Sequence, residues 1–450
     1  MVKLAGKFGH LRPFRCLVLG DFMLDTYTTG RVKRISPEAP VPVMEVLKEE
    51  SRPGGAGNVV LNLAALGAQV FAVGRIGSDF EGQTLKERLA KEGADTSALL
   101  IEPKYRTPVK NRLIADSQQL LRVDFETITS LQPQLEEEII QQLKILIPQV
   151  QIIALSDYGK GFLTNRLISA SLQIAKQANV PAIVDPKGAD FTKYRGATIL
   201  KPNLSEAYAA AKMPSNASLD SVAKQLLEIS SAELLLITRS EAGISIFNSE
   251  GKRSDFPVRS KEVIDVTGAG DTVLSMICLG LANGLDIEAA AQLANIAAGI
   301  SIERLGCVQI TLSELAQRLL EYDANTKIYD ESHTYALHQV LKGKRYSLLV
   351  LQKGQGMSNA LFRAIRQISE RDELIIYAKD ADDEFIQFLS SLQEVEIIIL
   401  QTESLKNLCE AIHPHEIYVL NGEEITQAKE LLHTLLTSAI TAPPKQTSPS

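Results

Sequence analysis

The chain has 450 residues, 45% apolar and 22% charged, with a net charge of −7. That is the composition of a soluble globular protein too long for one ordinary core, so two or more domains are expected. The acidic balance argues against a general nucleic-acid binder, so a phosphorylated substrate would need locally placed Lys and Arg. Four widely spaced cysteines (Cys16, Cys278, Cys307, Cys409) form no metal pattern and read as reduced core thiols. No segment approaches the roughly 20 apolar residues of a membrane helix and no signal-peptide pattern opens the chain, so a cytoplasmic protein is expected.

Over the first 320 residues, short apolar runs alternate with helical patterns. Buried strands are predicted at 16–20, 70–74, 152–156, 182–185, 198–201 and 234–238. Helices are predicted at 58–66, 80–92, 134–146, 164–177 and 218–229. This is α/β order, a doubly wound and mostly parallel sheet. Residues 40–47 and 107–125 instead alternate apolar and polar side chains, as half-exposed antiparallel strands do. They read as a small β-lid that would exclude water from a site below. The expected domain spans 1–323, followed by a polar linker at 324–333. A smaller Rossmann-like α/β domain is expected at 334–440, with strands near 347–351, 373–377, 395–400 and 416–420, then a disordered tail at 441–450.

Candidate chemistry lies where predicted strands end. Asp21 and Asp25 follow the first strand and can accept hydrogen bonds from sugar hydroxyls; a turn aspartate is the plainer reading. Gly54, Gly55 and Asn58 precede a helix of small residues, which suits close approach by a polyol. Lys187 follows another strand. Asn203, Leu204, Ser205 and Glu206 open a helix. Asn203 and Glu206 either form a capping box or orient water around Mg²⁺ and nucleotide phosphates. Thr238 and Arg239 end a further strand and can contact the nucleotide; Asn295 faces either adenine or a neighbouring helix.

The most informative segment is Gly268-Ala269-Gly270-Asp271, an apolar approach running into a helix of small residues. Glycines without Cβ let backbone N–H groups crowd an anion, and the helix N-terminus adds more. A carboxylate there is electrostatically odd unless it takes a proton. An anion cradle beside a general base is the equipment of phosphoryl transfer to an alcohol. A tight turn with an N-cap Asp is the alternative.

Together these segments resemble the PfkB (ribokinase-like) family of sugar kinases. Residues 14–320 are most similar to the kinase domain of the bifunctional heptose 7-phosphate kinase/heptose 1-phosphate adenylyltransferases. The similarity is carried by GDFMLDTY (20–27), RISPEAPVPV (34–43), RPGGAGNVVLNLAALGA (52–68), LSDYGKGFL (155–163), VDPKGADFTKYRGATILKPNLSE (184–206) and DVTGAGDT (265–272). The resemblance implies a ribokinase-like fold, a lid-mediated homodimer, Asp271 as base, and Gly268, Ala269 and Gly270 as anion hole. It implies ATP at 203–206, Mg²⁺, and a heptose 7-phosphate acceptor converted to the 1,7-bisphosphate on the way to ADP-heptose and lipopolysaccharide. Arg34, Arg52, Lys110, Arg112, Arg122, Lys160 and Lys187 are the cations available for the sugar phosphate. The second domain departs from the family. Its first strand should lead into G-x-F-D-x-x-H-x-G-H, yet no histidine occurs between His338 and His413. That departure implies a degenerate nucleotidyltransferase domain, with adenylyl transfer left to a separate protein. Alternatives are a kinase for another phosphosugar such as fructose 6-phosphate, or a silent scaffold.

Overall fold

The structure, a computed structural model, describes residue 8 and residues 11–116, 118–258, 263–323, 327–352, 355–378, 381–400, 404–422 and 424–428. The expected tail at 441–450 lies outside the described residues. The chain divides into two compact units, one of Leu11–Thr311 and one formed by Met1–His10 with Leu312–Ser450.

The strands of the larger unit are β1 Arg15–Ile35, β2 Pro42–Gly55, β3 Gln69–Gly77, β4 Leu99–Glu102, β5 Val109–Ala115, β6 Gln118–Phe125, β7 Ile152–Ser156, β8 Ala182–Asp185, β9 Ile199–Leu200, β10 Leu234–Thr238, β11 Ile244–Asn248 and β12 Arg253–Phe256. The main sheet runs β12-β11-β10-β9-β8-β7-β1-β3-β4. From β10 to β4 every pairing is parallel; β11 and β12 close the edge antiparallel. Its central strands are apolar without alternation because helices cover both faces: Cys16–Leu19 and Ile152–Leu155 are fully buried. Each leucine buried so completely contributes roughly 1.5–3 kcal/mol.

One strand departs from the sequence reading. A turn was expected after Gly20, leaving Asp21 and Asp25 beyond a short strand. Instead β1 runs unbroken for 21 residues and serves two sheets. Residues 15–21 pair with β3 and β7 in the core. Residues 22–35 pair antiparallel with β2, and residues 24–30 parallel with β5. The continuation persists because Phe22, Leu24, Thr26 and Thr28 keep a strand pattern and find lid partners on both sides. The lid is β2, β5, β6 and the outer part of β1. It is therefore not an appendage on loops: the strand that centres the core also builds the cover.

The smaller unit contains β13 Ile328–Tyr329, β14 Tyr346–Leu351, β15 Glu373–Ala378, β16 Val395–Ile399, β17 Glu416–Asn421 and β18 Glu424–Gln427. They form one sheet ordered β13-β16-β15-β14-β17-β18, parallel except at β18. The helix Leu312–Asp323 groups with this unit. The polar run expected to be a linker carries β13, whose Ile328 and Tyr329 pair with Ile398 and Ile399.

Candidate active site

Asp271 lies in the first turn of the helix Ala269–Ala282, whose N-cap is Gly268. The turn before it is pinned: Asp265 accepts the backbone N–H of Thr267 (2.9 Å) and of Gly306 (2.8 Å). Gly268 has φ +81°, and a Cβ there would come within 2.8 Å of Asn58 Nδ2 and 3.2 Å of Cys307 Sγ. Only glycine fits that corner.

The Asp271 carboxylate is 3% exposed and held at both oxygens. Asn58 Nδ2 donates to Oδ2 at 2.8 Å, and the Tyr158 hydroxyl donates to Oδ1 at 2.8 Å. Asn62 Nδ2 in turn donates to Asn58 O (2.9 Å) and Oδ1 (3.2 Å). Asn58 therefore presents its amide protons, not its carbonyl, to Asp271. Burial pushes the Asp271 carboxyl up to about 7, with nearby Asp185 acting in the same direction. The Asn58 and Tyr158 hydrogen bonds and the charge of Lys201 pull it down. A carboxylate titrating near neutrality is suited to general-base work.

Next to the cradle stands a cation that the sequence reading left without a role. Lys201 is 2% exposed, and its Nζ would lie 3.6 Å from a Cβ on Gly270. It is ion-paired with Asp185 at 2.9 Å. Gly270 thus stands next to a buried positive charge. A signal existed, since Lys201 ends a buried strand run and leads straight into the Asn203 helix.

A cleft of about 470 Å³ opens on Ala269 and Gly270. Thr238 and Asn295 also line it, with apolar walls that include Ile244, Val266 and Val273. Asn295 Nδ2 donates to the carbonyl of Phe256, so that end of the amide is spent on a neighbour. Arg239 does not line the cleft. Its guanidinium donates to Ala242 O (2.9 Å) and pairs with Asp255 (3.2 Å), holding the turn after β10. The segment 203–206 sits beside it through the bridge between Asn203 and Thr238. There the capping box forms in full: Glu206 N donates to Asn203 Oδ1 (2.9 Å) and Asn203 N to Glu206 Oε2 (3.1 Å). The other Glu206 oxygen pairs with Lys187 at 2.7 Å. Lys187, grouped from sequence with the substrate residues, thus belongs to the 203–206 corner. With these oxygens engaged, a Mg²⁺ ion would fit here only through intervening water, which is how Mg²⁺ usually sits.

On the lid side, Asp25 is buried and paired with Arg112. A Cβ on Gly54 would lie 2.0 Å from Asp25 Oδ2, so the glycine is what admits this carboxylate. Gly55 has φ +56° and faces the carbonyl of Asp21. Asp21 is engaged by the chain itself. Its carboxylate accepts the backbone N–H groups of Tyr158 (2.9 Å), Lys160 (3.0 Å) and Phe162 (3.4 Å). Arg34 is exposed on the outer end of β1, opposite Val43. Nine residues of strand, about 30 Å, separate it from Asp25, so the two do not meet one small ligand in this chain. Lys110 is half-buried on β5, its Nζ 5.3 Å from the centre of the Tyr158 ring.

A family model for pfkB family carbohydrate kinases matches residues 14–314. The chain belongs to that family. Among its relatives, the bifunctional protein HldE of Trichlorobacter lovleyi is 45% identical over 325 residues, which is 71% of this chain and 66% of the relative. That match spans just under two thirds of the relative's length. The HldE of Pelobacter propionicus is 37% identical over 434 residues, 91% of this chain and 88% of the relative. The fold is that of the ribokinases. Arabidopsis thaliana ribokinase, solved with ribose and ATP, superposes with TM-score 0.55 at 17% identity over 68% of this chain and 99% of that one. Escherichia coli phosphofructokinase-2 gives TM-score 0.57 at 17% identity over 70% of this chain and 100% of that one. No helix among the described residues of this pfkB-family kinase is long and apolar enough to cross a membrane.

Proposed function

We propose that this sugar kinase transfers the γ-phosphoryl group of ATP to the anomeric hydroxyl of a heptose 7-phosphate, giving the 1,7-bisphosphate. The observation that carries the reading is Asp271: a buried, doubly hydrogen-bonded carboxylate titrating near 7 at the mouth of a Gly-Ala-Gly turn. ATP supplies the phosphoryl group, with Mg²⁺ on its phosphates. Asp271 takes the proton of the sugar hydroxyl as that oxygen attacks phosphorus. The N–H group of Gly270 and the charge of Lys201 meet the negative charge that develops on the transferred group, while the Ala269 N–H is donated to Val266 O at 3.3 Å. The apolar cleft beside Thr238 and Asn295 receives the base and ribose of the nucleotide. The lid, with Asp25 on Arg112, covers the sugar. The heptose assignment rests on the segments 34–43 and 184–206 and on the kinship with HldE proteins.

The smaller unit is read as a nucleotidyltransferase fold without that chemistry. The stretch after β14 has no histidine; His338 instead meets His413 edge to face, with ring centres 6.0 Å apart, and His415 lies 3.4 Å from Asp372. A separate protein would then supply adenylyl transfer. Exposed Ile35, Val46, Leu47 and Leu121 make the lid a face for a second copy of the chain.

The test is ADP release from Mg-ATP with heptose 7-phosphate beside fructose 6-phosphate, ribose and fructose, together with AMP transfer to heptose 1-phosphate. Preference for the heptose without AMP transfer supports the reading. Preference for another sugar overturns the acceptor, silence on all sugars overturns the kinase, and AMP transfer overturns the degenerate second domain.

A further inference from the structure

The loop after β7 is built more heavily than a connection requires. Over residues 157–162 it engages two buried carboxylates. Asp21 gathers three of its backbone N–H groups. Asp157 accepts from Gly159 N (2.8 Å) and from the Tyr194 hydroxyl (2.6 Å), and pairs with Lys193 at 2.8 Å. Gly159 and Gly161 hold φ of +67° and +91°, and a Cβ on Gly161 would strike Thr129 O at 2.2 Å. The side chain this loop aims at the cradle is Tyr158. Its hydroxyl reaches Asp271, and Lys110 of the lid lies against its ring.

We infer that Tyr158 is a positioning residue for the base: its hydroxyl holds Asp271 Oδ1 in place and keeps the carboxylate in its proton-accepting form. The inference rests on Asp271 being the base, as proposed above. Asp21 acts one step further out, fixing the loop rather than the sugar. Burial alone would leave Asp271 protonated and useless as a base at neutral pH. The groups facing it are Asn58 from the helix Ala56–Ala65, Asp185 at the end of β8, Lys201 after β9, Cys307 before the helix Leu312–Asp323, and Tyr158. Asp185 and Lys201 form a pair with each other. Burial pushes the Cys307 thiol up, so it stays neutral. Direct hydrogen bonds to the carboxylate therefore come from Asn58 and Tyr158. Burial and the Asp271 charge also push the Tyr158 phenol well up, so it remains a donor throughout the working range.

The test is Tyr158→Phe in the full chain, read in two ways. One is the pH dependence of kcat. The other is the carboxyl titration of Asp271 by ¹³C NMR in aspartate-labelled protein, assigned with Asp271→Asn. Loss of a donor to the charged form moves both the titration and the acid limb up, by about one pH unit. Turnover at pH 6.5 then falls roughly tenfold while that near pH 9 and the KM for ATP stay close to wild type. Fluorotyrosine at 158, a stronger donor, moves both in the opposite direction, and decides alone if the phenylalanine variant does not fold. A loss equal at every pH with an unmoved titration overturns the inference. A moved titration in a protein whose wild type releases no ADP with any sugar overturns the kinase reading and with it the positioning role, leaving only the hydrogen bond from Tyr158 to Asp271.

Discussion

Replacing Asp271 by Asn should raise stability and remove activity together. The folded carboxyl ionises near pH 7 against an ordinary 3.8, because burial disfavours its charge. The sign follows from proton binding. Between those two values the folded state holds a proton that the unfolded state has released, so stability falls as pH rises through that window and levels off above about 7. The full cost of holding the ionised carboxylate is on the order of 4 kcal/mol. Asparagine removes that cost yet keeps the contacts: its carbonyl accepts from Asn58, and its NH₂ donates to the Tyr158 oxygen, which accepts as readily as it donates. The charge assistance of the two bonds is already within that figure, because both pull the carboxyl down to about 7. The net gain at pH 8 is then about 4 kcal/mol, or roughly 6 °C in Tm for a unit of about 300 residues. At pH 4–5, where wild-type Asp271 is already protonated in the folded state, the advantage shrinks toward zero. Turnover falls by about 10²–10⁴ at every pH. Calorimetric melts at pH 5 and pH 8 with an ADP-release assay decide the matter. A variant no more stable than wild type at pH 8, or one that turns over at near wild-type rate, refutes the account of Asp271 as a costly buried base.

Wild-type kcat should climb with pH through about 7, since only deprotonated Asp271 accepts a proton; a pH-rate profile flat from 5.5 to 8.5 would contradict this. Gly268→Ala forces a Cβ at φ +81° against Asn58 Nδ2 and should cost about 1–3 kcal/mol, visible as a lowered Tm, along with most of the turnover. Lys201→Met strips the cation from the cradle and leaves half-buried Asp185 without its partner: kcat should drop about 10²–10³-fold and stability by roughly 1–3 kcal/mol, and an unchanged kcat would take Lys201 out of the mechanism. Gly54→Ala displaces Asp25 from Arg112; steady-state kinetics should show the sugar KM rising while ATP binding holds.

The alternation of apolar runs and helical patterns was readable because burial on both faces leaves a strong mark: 152–156, 182–185 and 234–238 coincide with β7, β8 and β10. The cradle was readable for a similar reason, since Gly268 cannot be replaced at its φ. What escaped was long-range. Nothing local in Gly20-Asp21 distinguishes a turn from a strand that will find lid partners thirty residues on, so Asp21 looked like a ligand when it fastens a loop 137 residues away. Asn58 reads from sequence as a sugar contact, whereas its amide grips a carboxylate 213 residues later in the chain. Tyr158, within the 155–163 segment, is silent in the sequence, because a lone tyrosine after a strand carries no period or spacing that announces its partner. The capping box at Asn203 and Glu206 is the opposite case: its signature is local, and the structure forms it.

With Asp271 as the proposed base, burial is required as well as a place at a helix start. A carboxylate in the first turn of a helix is stabilised by unpaired N–H groups and the helix dipole, which would make it a weak base, ionised far below neutrality. In the proposed mechanism the Gly270 N–H serves the transferred phosphoryl, so it cannot be given up. The fold resolves the conflict by desolvation. Apolar packing around the helix Ala269–Ala282 and the adjacent charge of Asp185 lift the proton affinity, while Asn58, Tyr158 and Lys201 hold it near 7 rather than higher. A helix N-terminus exposed to water could cradle the phosphoryl group but would leave the sugar hydroxyl without a competent base. A carboxylate buried without those three partners would be protonated and idle. Proton affinity near neutrality is thus the product of opposed effects from five separate segments of the chain, which is why a short motif alone identifies the turn but does not set its chemistry.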